Sequence, residues 1–205
     1  MNNAWLAYYD VTKGNPPSKT AVLAAEFFEE KSGKVLDLGC GAGVDALFFL
    51  SKGWDVLAVD AHTDYLNVIK EEMPIELQQR LEVCRMSFEK LHIIQPQDCI
   101  IANFSLPFCK PQYFDTMWDE IVRGLKPGGV FSGVFFGNRD DWAKSMQEER
   151  TFHTSFEVKE LMTDFEVIHM QEEEWDGACC GEGGQPLPKH WHIFRVVARK
   201  TACIN

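Results

Sequence analysis

Along this chain short, nearly continuous apolar runs alternate with longer stretches in which apolar positions recur at helical spacing. The runs read as buried strands and the periodic stretches as helices lying on them. Strands are expected over residues 35–38, 54–60, 81–86, 98–103 and 130–136, with helices over 44–52, 64–72 and 112–125. Punctuation agrees: Gly53 closes the first of these helices, Pro74 lies just past the second, and Pro111 opens the third. The turn Lys126-Pro127-Gly128-Gly129 delivers the last of these strands. Strands that alternate with helices predict a parallel sheet with helices on both faces.

The two ends of the chain break this rhythm. Ahead of the first strand a helix is expected over 19–30, with Ser18 as its N-cap, and before that comes an aromatic arm of Trp5, Tyr8 and Tyr9. Towards the C-terminus a helix over 156–163 carries a capping box, Thr154 with Glu157. Strands over 165–174 and 191–199 follow with no helix between them, so they must run antiparallel, joined by a Gly-rich connection over 177–188. The expected fold is therefore α/β: a doubly wound, Rossmann-like, seven-stranded sheet, mostly parallel, with an antiparallel C-terminal hairpin. At 205 residues with 45% hydrophobic content, and with no internal repeat, the chain suits one domain over 1–205.

Composition narrows the partners. Lys plus Arg number 20 against 31 Asp plus Glu, a net charge of −11, and such a field repels polyanions, which excludes nucleic acid as the expected substrate. The acidic runs Glu71-Glu72 and Glu172 to Glu174 read as solvated face. No apolar run approaches a membrane span, and no basic-then-apolar leader opens the chain, so a cytoplasmic protein without a membrane partner is expected. The seven cysteines (Cys40, Cys84, Cys99, Cys109, Cys179, Cys180 and Cys203) lack paired C-x-x-C spacing. Most of them read as reduced thiols, with Cys84 and Cys99 as small core residues, and no metal site is expected.

The chemistry concentrates where the first strand breaks into glycines: Val35-Leu36-Asp37-Leu38-Gly39-Cys40-Gly41-Ala42-Gly43, leading directly into a helix. Glycines there let the backbone bend and let a ligand approach closely. Three features favour S-adenosylmethionine over a dinucleotide. The sixth position that a dinucleotide fingerprint wants small is Val44. Asp37 would repel a pyrophosphate but could orient a cationic sulfonium and its ammonium group. Asp45 puts a second negative charge in the first helical turn, where phosphates otherwise dock. The second strand ends at Asp60, a carboxylate placed to accept from both ribose hydroxyls; capping of the following helix is the plainer alternative.

Taken together these blocks resemble the class I S-adenosylmethionine-dependent methyltransferases, and within them the small-molecule branch of thiopurine and tellurite-resistance type enzymes. The likeness runs from the aromatic arm through 35–43, Val56 to Asp60, Ile101-Ala102-Asn103-Phe104 and 125–129 to the closing strands. It implies that Gly39, Cys40 and Gly41 lie along the methionine part of the cofactor, with Gly43 also at the cofactor and Asp37 holding its ammonium. It further implies Asp60 on the ribose, Ala61 or His62 beside the adenine, and Ser87 and Phe88 reading the adenine edge. The family often has Asp where Ser87 stands. Asn103 matches the position beside the reacting methyl. Residues 1–33 would cover the cofactor pocket, with Trp5 and Tyr9 excluding water from the sulfonium.

Methyl transfer from a sulfonium is an in-line displacement that positioning alone can accelerate. A thiol or other soft acceptor needs no general base, whereas a hydroxyl or protonated amine does. The catalytic residue is thus left open, with His190, His153 and Asn103 as candidates. His190 and His192 share one face of the last strand, and residues 175–190 read either as a lid over the acceptor or as a surface hairpin. Zinc held by these histidines with Cys179 and Cys180 is disfavoured, since adjacent cysteines chelate poorly. Two rivals stand beside the methyltransferase reading: an NAD-dependent oxidoreductase, against which Val44 and Asp37 argue, and a non-catalytic protein that only binds S-adenosylmethionine.

Overall fold

A strand covered on both faces must be apolar at successive positions, and the central strands have that composition. In β1 (Lys34–Leu38), Val35 packs on one side of the sheet while Leu36 and Leu38 pack on the other. A computed structural model describes residues 3–28, 32–181 and 184–202. Its first half runs α1 (Asn3–Thr12), α2 (Lys19–Glu26), β1, α3 (Val44–Ser51), β2 (Asp55–Asp60), α4 (Asp64–Glu71), α5 (Ile75–Gln78), β3 (Leu81–Arg85) and β4 (Gln97–Ala102). The second half runs α6 (Pro111–Gly124), β5 (Leu125–Gly137), β6 (Phe152–His153), α7 (Ser155–Leu161), β7 (Phe165–Cys180) and β8 (Pro186–Lys200).

The strand order is β3-β2-β1-β4-β5-β8-β7, with the two-residue β6 alongside β5. The first five strands pair in parallel, and β8 and β7 close the sheet antiparallel. This is the expected doubly wound sheet of seven strands, with the short β6 added. Strand order reverses between β1 and β4, and ligands in such sheets dock at the carboxyl ends of the strands beside that reversal. The helices cover both faces. Ala21 and Ala24 of α2, Ala46 and Phe49 of α3 and Leu66 of α4 meet Val35, Ala58 and Ile101 on one face. Phe114, Met117, Trp118 and Ile121 of α6 meet Leu36, Ile100 and Phe131 on the other. Among the described residues no helix is long and apolar enough to cross a membrane.

Three local expectations change. The aromatic arm is helical, as α1, and α2 ends at Glu26; residues 29 and 30 of the longer helix expected there lie outside the described residues. The turn 126–129 is a bulge within β5, between the pairs Gln97↔Leu125 and Cys99↔Val130. The 177–188 connection is mostly ladder: Ala178 pairs Pro188 and Cys180 pairs Pro186, so the strands extend to Cys180 and resume at Pro186. Prolines survive there because β8 pairs with β5 only as far as Ile193, so residues before it need no donor on that side. Glu182 and Gly183 lie outside the described residues, as does Cys203; Cys99 is a buried core thiol and Cys84 a partly buried one packed against the core.

Candidate cofactor and acceptor site

The turn after β1 takes its shape from glycines that no other residue could replace cheaply. Gly39, Gly41 and Gly43 have φ of 76°, 52° and 81°, all left-handed. A Cβ on Gly39 would overlap Ser105 Cβ, and one on Gly43 would lie 2.6 Å from Leu66 Cδ1. Val59 O receives the amides of Gly39 (2.7 Å) and Cys40 (3.1 Å), which ties the turn to the end of β2. Asp60 completes the tie: Oδ2 accepts from Gly41 N at 2.9 Å and Oδ1 from His62 N at 2.8 Å. Asp60 therefore does not cap α4; it braces two loops and leaves its carboxylate at their junction.

Asp37 and Asp45 stand behind this turn. Asp37 is buried, and among the described residues its Oδ2 has no hydrogen-bond partner. Desolvation first, and the charge of Asp45 second, hold its pKa well above the usual carboxylate range, against the pull of the Ala46 amide. Asp45 accepts from Ser18 N at 2.7 Å and from Asn103 Nδ2 at 2.9 Å, and Asn103 Oδ1 accepts from Thr20 Oγ1 at 2.7 Å. Asn103 is thus fixed by two partners rather than free to act as a base. Ser18 keeps N-cap geometry, but its side chain makes no cap bond and its amide serves Asp45. The pattern along the sequence gave no sign of Thr20 or Ser105, because their partners lie 83 and 67 residues away.

The N-terminal helix lies across the turn. Tyr9 is buried, its ring edge would be 3.4 Å from a Cβ on Gly41, and its hydroxyl donates to Asp60 Oδ1 at 3.2 Å. Burial, with Asp60 next, raises the phenol's pKa. Trp5 packs 6.3 Å from the Tyr9 ring and 5.2 Å from that of Phe108. The Cys40 thiol is buried behind the turn, and burial, Asp37 and Asp60 push it up. Past the ends of β2 and β3 opens a cleft of about 460 Å³ lined by Ala61, Arg85, Met86, Ser87 and Lys90. Phe88 reaches towards Gly39, and bonds from its own amide and from Ser87 hold Glu89 below the usual carboxylate range. A larger cleft of about 510 Å³ lies at the opposite end of the strands, where Lys126 pairs with Asp98 and Lys200 binds the carbonyls of Val122 and Leu125.

On the other side of the reversal, β5 and the β7–β8 hairpin present an aromatic surface. Phe104, Trp142, Phe152 and Trp191 are partly buried around Val134, Phe136 and Ile193. Lys189 and Trp191 share this face, so by the period of two His190 and His192 point away from it. His190 bonds Asp176 at 2.7 Å and Glu174 at 3.4 Å, and these carboxylates raise its pKa. His192 is fully buried and bonds Glu172 at 3.0 Å. Glu172, Glu174 and His192 come within metal-binding distance of one another, but the Arg139 guanidinium already bonds both glutamates. The 172–174 run is accordingly not an idle solvated face, since Glu173 also pairs with Arg195 at 3.1 Å. His153 packs between Phe114 and Phe135 with Nδ1 unpartnered, and burial lowers its pKa to about 4. The capping box ahead of α7 is formed as expected, by Thr154 and Glu157.

Sheet order, glycine turn and strand-end carboxylate together define the Rossmann-like methyltransferase fold. Within that class the chain belongs to the family of the tellurite resistance protein TehB, whose model matches residues 4–182. The crystal structure of TehB from Haemophilus influenzae superposes with a TM-score of 0.75 at 19% identity, covering 95% of this chain and 66% of that one. The Burkholderia thailandensis 1,6-didemethyltoxoflavin-N1-methyltransferase, crystallised with 1,6-didemethyltoxoflavin and S-adenosylhomocysteine, gives 0.65 at 21% identity, covering 89% and 77%. A carboxy-S-adenosyl-L-methionine synthase of Aeromonas hydrophila is 27% identical over 124 residues, 55% of this chain and 47% of its own. The chain thus spans about half the length of the curated relatives it matches.

Proposed function

We propose that this chain transfers a methyl group from S-adenosylmethionine to a small-molecule acceptor, leaving S-adenosylhomocysteine. The observation that carries the reading is Asp37: a buried carboxylate with an unpartnered oxygen beneath a left-handed glycine turn. Burial of such a group is costly unless a cation answers it, and a sulfonium ligand with an ammonium group supplies one. The residues present therefore fit the cofactor. When bound, S-adenosylmethionine supplies a methyl group on a positively charged sulfur, activated for displacement by a nucleophile.

Everything else falls to the chain's own residues. Gly39, Cys40, Gly41 and Gly43 line the methionine part, and Asp37 attracts its ammonium. Asp60 receives the ribose once the Tyr9 hydroxyl yields, while Ala61 and Ser87 border the adenine in the 460 Å³ cleft and Phe88, near Gly39, flanks it. Asn103 is a positioning residue, held by Asp45 and Thr20 beside the end of β4. Trp5 and Tyr9 exclude water from the reacting centre. No general base is assigned, and a soft nucleophile such as a thiol needs none. The structural neighbour named as a 1,6-didemethyltoxoflavin-N1-methyltransferase was crystallised with 1,6-didemethyltoxoflavin, which supports a small-molecule acceptor here too. A net charge of −11 supports a chain that does not engage nucleic acid, and a cytoplasmic location is part of the same proposal.

Isothermal titration of the purified chain with S-adenosylhomocysteine and with NAD tests the reading: micromolar binding of the first and none of the second is expected. Affinity for NAD alone would overturn it in favour of hydride transfer. Release of S-adenosylhomocysteine with a panel of thiols, selenols, amines and metalloid oxyanions separates an enzyme from a mere binder of the cofactor.

A further inference from the structure

Among the described residues the aromatic surface beside the glycine turn holds three of the chain's own cations: Lys189 and Arg195, the latter over Phe104 at 5.3 Å, are answered by carboxylates, and Arg150 is not. Lys189 lies over Trp191 (4.0 Å to the ring centre) and Trp142 (4.2 Å) and is ion-paired with Asp140, both side chains being buried. Arg150 lies over Trp142 at 3.9 Å and over Phe108 at 4.7 Å. Its Nη1 is buried without a hydrogen-bond partner, and among the described residues no carboxylate forms an ion pair with it. Glu149 and Asp140 act on it only through space, and burial pulls its pKa down.

Arg150 is also tied to the place where an acceptor must sit. Thr151 N donates to Pro107 O at 3.0 Å and Thr151 Oγ1 to Cys109 O at 2.7 Å, which clamps Arg150 against the turn that follows β4. That same turn carries Ser105, against Gly39, and Phe108, against Trp5. The turn therefore carries Ser105, which abuts Gly39, and, three residues on, the ring that the Arg150 guanidinium covers, so a molecule held by Arg150 lies one short turn of chain from the glycine bend. Aromatic cages commonly receive cationic ligands, but this one is already filled by cations of the chain itself. A further cation is repelled, while a planar anion answers Arg150 in the fork geometry of a guanidinium and stacks its body on the rings.

We propose that Arg150 is the anion anchor of the acceptor site, so that the acceptor is a small anion: a carboxylate, or an oxyanion of like geometry, on a flat unsaturated body. The inference rests on the methyltransferase reading and deepens it. Its test is titration of the protein saturated with S-adenosylhomocysteine, using the matched pair 2-mercaptobenzoate and 2-mercaptobenzamide. The wild-type chain is expected to bind the acid at least about tenfold more tightly than the amide, the discrimination of one charge-assisted hydrogen bond. Arg150→Gln is expected to bind S-adenosylhomocysteine as before and to lose the preference, and Arg150→Lys to keep part of it. Equal affinities in the wild type, no binding of the acid at millimolar concentration, or a preference that survives in Arg150→Gln overturns the inference. The wild-type comparison needs no variant, so misfolding of a mutant cannot obscure it. Failure to bind S-adenosylhomocysteine at all overturns the methyltransferase reading instead, and the inference with it.

Discussion

Around the turn 39–43 three carboxylates, Asp37, Asp45 and Asp60, converge, and among the described residues none is ion-paired with Lys or Arg; beyond Phe108 the unanswered charge is positive. The two regions also differ in how they are built. The acidic region is almost continuous in sequence, one strand and turn plus the tip of the next strand, held by backbone amides. The cationic region draws on five separate stretches, those of Phe108, Phe136, Trp142, Arg150, and Lys189 with Trp191. Charge left unanswered inside a folded chain costs stability, so each region trades stability for a ligand of the opposite sign. On this view the molecule offers a cation site for the methyl donor next to an anion site for the receiver.

The sharpest way to break the contrast is to expose what the Lys189–Asp140 pair does for stability. Lys189→Met strands the buried Asp140 carboxylate, which retains only the amides of Trp142 and His192, and is expected to cost about 3–5 kcal/mol in urea unfolding. Adding Asp140→Asn should recover most of that loss, since Asn can still cap the 141–144 turn. If Lys189→Met is neutral, the pair does not hold the hairpin face.

His153 gives the next effect, and its sign can be worked out. Its pKa falls from 6.5 towards about 4 on folding because burial disfavours the imidazolium. Between these values the unfolded chain binds more protons, so stability is lost as pH falls from about 6.5 to about 4, by at most about 3 kcal/mol. Unfolding curves at pH 7 and near pH 4 should show that slope, and His153→Phe, packed between Phe114 and Phe135, should flatten it. An unchanged slope in the variant would assign the acid sensitivity elsewhere.

Asp37→Asn addresses the acidic region directly. Affinity for S-adenosylhomocysteine should fall about tenfold to a hundredfold, the worth of a charged hydrogen bond, while the thermal midpoint of the free protein holds or rises. A variant that keeps full affinity would remove Asp37 from the cofactor site. Smallest of all is His190→Ala: the ring faces Asp176 and Glu174, away from the aromatic surface, and turnover should stay within about twofold, below the range of general base catalysis. A large loss would restore His190 as the base.

Much of the acidic region was legible before any fold was known. Gly39, Gly41 and Gly43 are spaced for a turn between strand and helix, and Asp60 ends an apolar run; both are local patterns with local causes. The same reading placed the strands within a few residues, and the capping box of Thr154 and Glu157 where it forms. It misjudged 177–188, since Gly and Pro look like breakers until the partner strand shows which amides are needed. It also could not see that Asn103 is tied down by Asp45 and Thr20, or that among the described residues no carboxylate forms an ion pair with Arg150.

Sequence by itself, then, determined the alternation of strands and helices, the doubly wound class, the glycine bend and the acid at the tip of β2, because periodicity and left-handed backbone preferences act over a few residues. Only the tertiary structure decided which charges meet. Ion pairing and desolvation depend on distances between residues such as Lys189 and Asp140, 49 positions apart, and those distances are set by how the sheet is ordered rather than by any local pattern.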